Sequence, residues 1–471
     1  MLSNAVRIGL WLNATKSCYD HKPAAYTWPM NSTDAAPHDH PYLESSVYYG
    51  ALGPAVFFQQ LSATRPTPEA NKWRELANGA LEGARLAISR DLPKYGANGG
   101  FYYGLAGVAY GLRAAGHDQQ TYEQAAANIE AIILTRIAPF ANSSTATLWN
   151  NTDIAHGAAG TGLYFLWLSR RAEPANLRAA ALDAALRAGS WLLTRAESIG
   201  SGGLRWARGP DTDGEHEHSY YPTFCCGGAG VSYFLSELAR EFASVQPEAS
   251  AAFLDAARRG AEHVLALAQP LDKEGLQEGL LVPHEEQGAG LGLFYLGWCG
   301  GPPGWARLFV SLHRSTRESR WLDYLAQATR ALERLVTPEK GLPMLWPVPP
   351  SSPPWDNLGQ CCGASAAGQY LLAVGEAAPD ALPLDPQLKR SALAAGLQIA
   401  DAIAARGVPA VPDGLGLAIP SPEEHDAPLD TRWQAGWMQG AAGVASFLLH
   451  AQAVREGNQT GRRVPWPDEP W

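Results

Sequence analysis

The sequence predicts an all-α protein built as an α/α toroid, a double ring of seven helical hairpins, and three observations carry that expectation. A small-residue signature recurs along the chain, the segments ahead of it have an amphipathic helical period, and the segments after it are apolar on nearly every side. The signature, Gly-x-x-Gly followed by an apolar and aromatic run, stands at Gly50 to Gly53, Gly104 to Gly107, Gly157 to Gly160, Gly227 to Gly230, Gly301 to Gly304 and Gly440 to Gly443. Between the last two, Gly363 to Ala366 is a degraded copy, sixth in chain order, with alanine in the last glycine position, which makes seven. Intervals of roughly 50 to 80 residues suit one helical hairpin and a loop per copy.

Ahead of the second copy, Trp73, Leu76, Ala80, Leu81, Ala84, Ala87 and Ile88 recur at helical spacing. Ahead of the sixth, Trp321, Leu322, Leu325, Ala328, Leu332, Leu335 and Val336 do the same, so these are expected to be outer helices with one buried stripe. Behind the glycines, 162–168, 231–235 and 444–449 are almost uniformly apolar and predict inner helices. Glycine at their starts removes side chains where backbones converge and leaves unpaired N–H groups facing the centre. Alternating strand patterns are not found.

Loops are expected at 20–46, 209–218, 347–354 and 409–428, where proline and polar residues cluster. One toroidal domain over residues 1–471 is expected, with 19–46 and 460–471 as extended or partly ordered segments. The second of these is rich in proline and tryptophan, and either packs across the ring or stays mobile.

Composition narrows the function. A chain of 471 residues can bury a large core, and a net charge of -10 argues against a nucleic-acid partner. Asn4, Arg7 and Asn13 interrupt the first apolar stretch, so it lacks a signal-peptide core, and no later stretch is long enough to span a membrane. Six cysteines are too few for a disulfide scaffold, and the vicinal pairs Cys225-Cys226 and Cys361-Cys362 bridge poorly; a reducing cytoplasm is the expectation.

Cys299, in Tyr295-Leu-Gly-Trp-Cys-Gly-Gly-Pro-Pro-Gly304, and Cys361-Cys362, in Gly359-Gln-Cys-Cys-Gly363, read as a zinc site. Three soft thiolates at two helix starts suit tetrahedral zinc and leave a fourth position for water or a substrate sulfur. An open position points to catalysis. A lone cysteine would more often be a small core residue; three in these contexts favour the metal.

The seven hairpin signatures, the element Trp298-Cys299-Gly300-Gly301-Pro302-Pro303-Gly304 and the element Cys361-Cys362-Gly363 together resemble the lanthionine synthetase C-like cyclases, over nearly the whole chain. The resemblance implies a zinc enzyme that adds cysteine thiols to dehydroalanine or dehydrobutyrine residues, forming thioether rings in a ribosomal peptide. It implies a dehydrated precursor peptide as partner. With no dehydratase-like segment preceding the hairpins, a separate dehydratase is expected. Zinc would ionise a thiol whose free pKa is about 8.5, and the enolate formed by addition must then be protonated by a nearby acid.

Against the family's pattern, Asp153 matches an aspartate four residues before a hairpin glycine, but three other positions differ. Cys226 stands where the resemblance implies a catalytic histidine, Tyr295 where it implies an arginine, and Gly300 where it implies a tyrosine. Two residues are candidates to compensate. His156, one residue before its hairpin glycine, could be the acid; Tyr295, if one helical turn before Cys299, would bring its hydroxyl near the metal. The bland alternatives are a capped helix start and ordinary packing. Cys225 and Cys226 are spare ligands, a redox pair or, preferably, small residues at a crowded helix start. Cys362 replaces the family's usual histidine ligand, and an all-thiolate site should make a bound sulfur more electron-rich and ring formation more reversible. His38, His40, His216 and His218 fall in polar loops and are expected to be solvated. Addition of glutathione or another small thiol, and peptide binding without catalysis, are the competing functions; a toroid glycosidase lacks a carboxylate partner for Asp153.

Overall fold

The computed structural model describes residues 1–28, 44–92, 98–116, 119–137, 148–171, 175–200, 202–209, 219–271, 279–347, 355, 357–411, 413–419, 433–458 and 463–471. His38, His40, His216 and His218 lie outside them.

Fourteen helices among the described residues alternate between two rings. The inner ring holds α2 (Leu52–Ala63), α4 (Leu105–Gly116), α6 (Ala158–Ser169), α8 (Gly228–Phe242), α10 (Pro302–Thr316), α12 (Ala364–Glu376) and α14 (Ala441–Glu456). Each begins within two residues of a hairpin glycine, as expected. The outer ring holds α1 (Leu2–Thr15), α3 (Glu69–Asp91), α5 (Gln120–Ile137), α7 (Ala175–Thr194), α9 (Pro247–Leu267), α11 (Arg320–Leu335) and α13 (Pro386–Ala405). Outer helices bury one stripe, as in α11 with Trp321, Leu325, Ala328, Leu332 and Leu335. Inner helices bury nearly every residue, as in α6 and α14.

Of the first six inner helices, all but α10 pack chiefly on the outer helix that follows in sequence, α8 on α9 and α12 on α13 being the most extensive pairs, whereas α10 packs about as much on α8 as on α11. The last inner helix has no successor, and α1 supplies its outer partner. Two of the polar residues that interrupt the first apolar stretch tie α1 to what precedes α14: Asn4 donates to Ala404 O in α13 at 2.9 Å, and Arg7 to Leu415 O at 3.2 Å.

The hairpin loops are joined edge to edge. Tyr48 N–H donates to Tyr102 O (3.3 Å), Tyr102 to Ala155 (3.1 Å), Ala155 to Cys225 (3.4 Å), and Cys225 to Cys299 (3.0 Å). Cys299 then donates to Cys361 (3.0 Å), Cys361 to Met438 (2.7 Å), and Met438 back to Tyr48 (3.1 Å), closing a seven-membered circle. Every residue in the circle stands two positions before its hairpin glycine. Crowding behind it explains the glycines: a Cβ on Gly107 would meet Phe101 O at 1.6 Å, and one on Gly443 would meet Trp437 O at 1.9 Å. Their need is close approach, since the helix-starting glycines themselves are extended, with φ between -101° and -146° where α6, α8, α10, α12 and α14 begin.

Among the described residues, five short antiparallel ribbons decorate the loops: Ser17–Cys18 with Tyr26–Thr27, Ala196–Ser198 with Leu204–Trp206, Gln269–Pro270 with Leu280–Leu281, Phe294–Tyr295 with Leu345–Trp346, and Val408–Ala410 with Gly416–Ala418. Residues 463–471 run inside the inner ring, with Trp466 and Asp468 buried.

Candidate metal centre and active site

Because the seven loops share one backbone register, the residue one position before each glycine faces one side of the circle. In order these are Tyr49, Tyr103, His156, Cys226, Gly300, Cys362 and Gln439. Contacts run around the circle accordingly: the rings of Tyr49 and Tyr103 lie 5.9 Å apart, and Tyr103 stacks on His156 at 4.5 Å with 7° between planes. Further round, Gln439 Nε2 approaches Cys362 Sγ at 4.0 Å.

Cys299, Cys361 and Cys362 come together in this face. Cys362 Sγ lies 3.6 Å from Cys299 Sγ and 3.5 Å from Cys361 Sγ, and all three sulfurs fall within 4.8 Å of one another. The match to zinc can be tested by arithmetic: with Zn–S bonds of about 2.3 Å, a tetrahedron puts its sulfurs about 3.8 Å apart. The donor set and its spacing fit that ion. Mutual proximity acts on the thiols too. Contact with Cys361 favours ionisation of Cys299, but contact with Cys362 and burial outweigh it and push this thiol up. Burial first, then its two neighbours, pushes Cys361 well up. Three adjacent thiolates therefore need a cation.

The amides around the sulfurs are positioned in turn. Gln439 Nε2 donates to Tyr48 Oη at 3.0 Å, and Asn357 Nδ2 donates to Gln439 Oε1 at 3.2 Å. Asn357 Oδ1 accepts from the Gly359 N–H at 2.8 Å, which ties this chain of amides to the loop that carries Cys361 and Cys362.

Asp153 and His156 form a second centre on the neighbouring arc. Asp153 is fully buried; its Oδ1 accepts from the His156 N–H at 2.6 Å and its Oδ2 faces His156 Nδ1 at 3.2 Å. Arg208 Nε lies 3.3 Å from the same Oδ2. Burial opposes the charge on Asp153, but His156 and Arg208 outweigh it and hold the carboxyl below its usual range. Burial likewise opposes the imidazolium, yet Asp153, with a smaller contribution from Cys226, raises His156 above the ordinary 6.5. This arrangement favours the protonated form of the imidazole.

Cys226 Sγ lies 3.2 Å from Cys225 Sγ, and neither joins the three-sulfur cluster among the described residues. Cys225 is buried, its thiol pushed well up by Cys226 and by burial.

The expectation for Tyr295 needs correction. The stretch from Tyr295 to Cys299 is not a helical turn: Tyr295 ends a strand paired with Leu345, and α10 starts only at Pro302, after extended Gly301. Its phenol still lies within electrostatic reach of Cys362 and Cys299, behind the larger effect of burial, which pushes it up. Gly300, where the resemblance implies a tyrosine, is crowded by Tyr295: a Cβ on Gly300 would meet Tyr295 Cβ at 3.0 Å.

His284 was missed in the sequence. It sits in the connection between Leu280–Leu281 and Phe294–Tyr295, its ring 4.5 Å from that of Tyr295 and 5.4 Å from that of Tyr221. Burial holds its imidazole below the ordinary range, against an opposing influence of Cys299. Its Nδ1 is buried without a hydrogen-bond partner among the described residues. No repeat or motif marks this position; a histidine in a short insertion ahead of the Cys299 loop was the only sign. Arg208 was equally hidden, at the end of a loop ribbon 55 residues beyond Asp153.

The family model for lanthionine synthetase C-like protein matches residues 41–201. Among solved structures, nisin cyclase superposes with a TM-score of 0.56 at 13% identity, over 89% of this chain and 91% of that one. An unsaturated glucuronyl hydrolase from Bacillus sp. GL1 gives a TM-score of 0.48 at 14% identity, over 88% of this chain and 98% of that one. No curated protein sequence matches. The likeness to nisin cyclase shows the toroidal fold. No helix among the described residues is long and apolar enough to cross a membrane.

Proposed function

Taking the chain as lanthionine synthetase C-like, the resemblance that the match over residues 41–201 and the shared toroid support, we propose that it is a zinc-dependent peptide cyclase. It would add cysteine thiols of a dehydrated precursor peptide, made by a separate dehydratase in the cytoplasm, to dehydroalanine or dehydrobutyrine, forming thioether rings. The observation that carries this reading is the three-sulfur cluster on the same face of the loop circle as the hydrogen-bonded Asp153–His156 pair.

Cys299, Cys361 and Cys362 would hold the ion, and zinc when bound supplies the Lewis acidity that makes a thiolate available at neutral pH. The remaining work belongs to the chain's own residues. As the peptide sulfur bonds to the β-carbon, electrons move to the acyl oxygen and an enolate develops. His156, whose protonated form Asp153 favours, gives its proton to the α-carbon, and Arg208 fixes the carboxylate that orients it. His284, neutral beside Tyr295, is the group able to take the proton that the incoming thiol gives up. Tyr103, stacked on His156, limits the ring to one orientation and shields that side of the site from water.

The test is incubation of zinc-loaded protein with a dehydrated, cysteine-containing peptide, followed by thiol alkylation and mass analysis, because ring closure leaves the mass unchanged. Loss of alkylatable thiol is the expected result. Thiols that persist, beside a working control cyclase, overturn the reading. If they persist while glutathione supplied in the assay becomes attached to the peptide, the activity is addition of small thiols instead.

A further inference from the structure

We infer that the segment Arg463 to Trp471 is an internal cross-brace that sets the separation between the two sides of the loop circle, with Asp468 as its positioning residue. The inference rests on the cyclase reading only for one of its readouts.

Asp468 is 1% exposed, and a single carboxylate oxygen makes its contacts. Oδ2 accepts from Trp298 Nε1 at 2.9 Å and from Tyr102 Oη at 3.1 Å, and pairs with Arg307 Nη1 at 2.9 Å. Trp298 immediately precedes Cys299; Tyr102 immediately precedes Tyr103, the residue stacked on His156. Their loops are the fifth and second of seven, three steps apart and so on opposite sides of the circle. One buried oxygen thus ties the thiol side to the imidazole side.

The rest of the segment fixes that oxygen in place. Arg307 also donates to Asp468 O at 2.9 Å, and Arg314 donates to Pro470 O. Trp466 packs against Tyr110 and Trp437, with ring centroids 4.8 and 4.7 Å apart, and Trp471 against Tyr370 at 5.7 Å. Arg463 pairs with Glu469 at 2.9 Å. These partners belong to the second, fifth, sixth and seventh hairpins. A segment that only filled space would do so with apolar side chains, since a buried ion pair gains little over them. A carboxylate that satisfies three donors from two distant loops instead selects one geometry.

Two conservative variants isolate the brace without emptying the interior. Trp298→Phe and Tyr102→Phe each remove one donor to Asp468 and leave the Asp468–Arg307 pair whole. In metal-free protein, each should raise the alkylation rate of Cys299 and speed amide exchange at 297–301 relative to wild type. On dehydrated peptide, kcat should fall about tenfold with KM unchanged, the size of one hydrogen bond to a charged group. The double variant should fall short of the product of the two, because both act through one oxygen. Deleting 463–471 and adding the segment back as a synthetic peptide should restore part of the slow alkylation. Variants that lower the melting temperature but leave Cys299 alkylation, amide exchange and kcat as in wild type would overturn the brace and leave the segment as filler. If wild-type protein cyclises nothing, the alkylation and exchange measurements still decide the brace, and only the cyclase reading fails.

Discussion

One repeated backbone carries two unlike arcs at the face of this toroid. Loops one to three present Tyr49, Tyr103 and His156 at the position before the hairpin glycine, and loops four to six present Cys226, Gly300 and Cys362. The backbone hydrogen bond that joins each loop to the next is the same in both arcs, between 2.7 and 3.4 Å throughout the circle. The helices supply position, then, and the chemistry is written in two residues per loop. The sulfur arc brings three soft donors together, and the aromatic arc holds an imidazole whose protonated form Asp153 favours. Each arc should fail separately.

The sulfur arc should give the largest effect. Cys361→Ser replaces the buried member of the cluster with a harder, less acidic donor, so metal content measured on the purified protein should collapse. Cyclisation should drop to background, more than about 100-fold and beyond what altering a residue outside the ligand set costs. The aromatic arc should survive: His156 would titrate as before by NMR. A variant that retains a full complement of zinc would show that the three sulfurs are not the site.

The aromatic arc comes next. His156→Ala should lower kcat by about 10² to 10⁴-fold, the range for losing a positioned general acid, with zinc content unchanged. Its pH dependence has a definite sign. His156 is raised above 6.5, so its proton and the stability of the Asp153 pair are fully present below that value and are lost as pH rises through the raised one. Activity should therefore have an alkaline limb from this group. Asp153→Asn removes the charge that raises it, so the limb should move to lower pH. A limb that stays in place would dissociate His156 from the chemistry.

The fold was readable because its cause is local. Six backbone crossings exclude a Cβ at the last glycine of the signature, with Ala366 the one exception, and that exclusion leaves glycine at fixed offsets whatever the chemistry of the loop. The sulfur cluster was readable for the same reason, since Cys299, Cys361 and Cys362 sit at those offsets in loops that adjoin. The other parts depend on chain segments without a repeat. Nothing in the first helix marks it as the outer partner of α14, and the interior course of 463–471 is set by Asp468 meeting Trp298 and Tyr102, contacts 170 and 366 residues apart. Tyr295 was misread as helical because four-residue spacing suits a helix, although the extended Gly301 that starts α10 keeps what precedes it out of the helix. Arg208 and His284 arrive from loop ribbons, where spacing says nothing about direction.

Cys362→His asks what the third sulfur adds within its arc. An imidazole makes the cluster one unit less negative, so a bound peptide sulfur should be less electron-rich and both ring closure and ring opening should slow, by about tenfold for about 1.4 kcal/mol of altered interaction. The imidazole should also give up the 4.0 Å approach of Gln439 to the present sulfur. Unchanged rates across several peptides would remove any role for the all-thiolate set.

The smallest effect should come from Tyr103→Ala, which leaves both centres chemically whole and removes only the ring stacked at 4.5 Å on His156. An aromatic pair of this kind is worth about 0.5–1.5 kcal/mol beyond its buried area, so kcat should fall by about 2- to 12-fold. Tyr103→Phe keeps the stacked face and should restore it. Because the Asp153 carboxylate stays in place, the alkaline limb should keep its position while its height drops, which separates orientation of the imidazole from its charge. If the limb moves with the height, the tyrosine acts on the proton itself, and the aromatic arc is part of the acid rather than its wall.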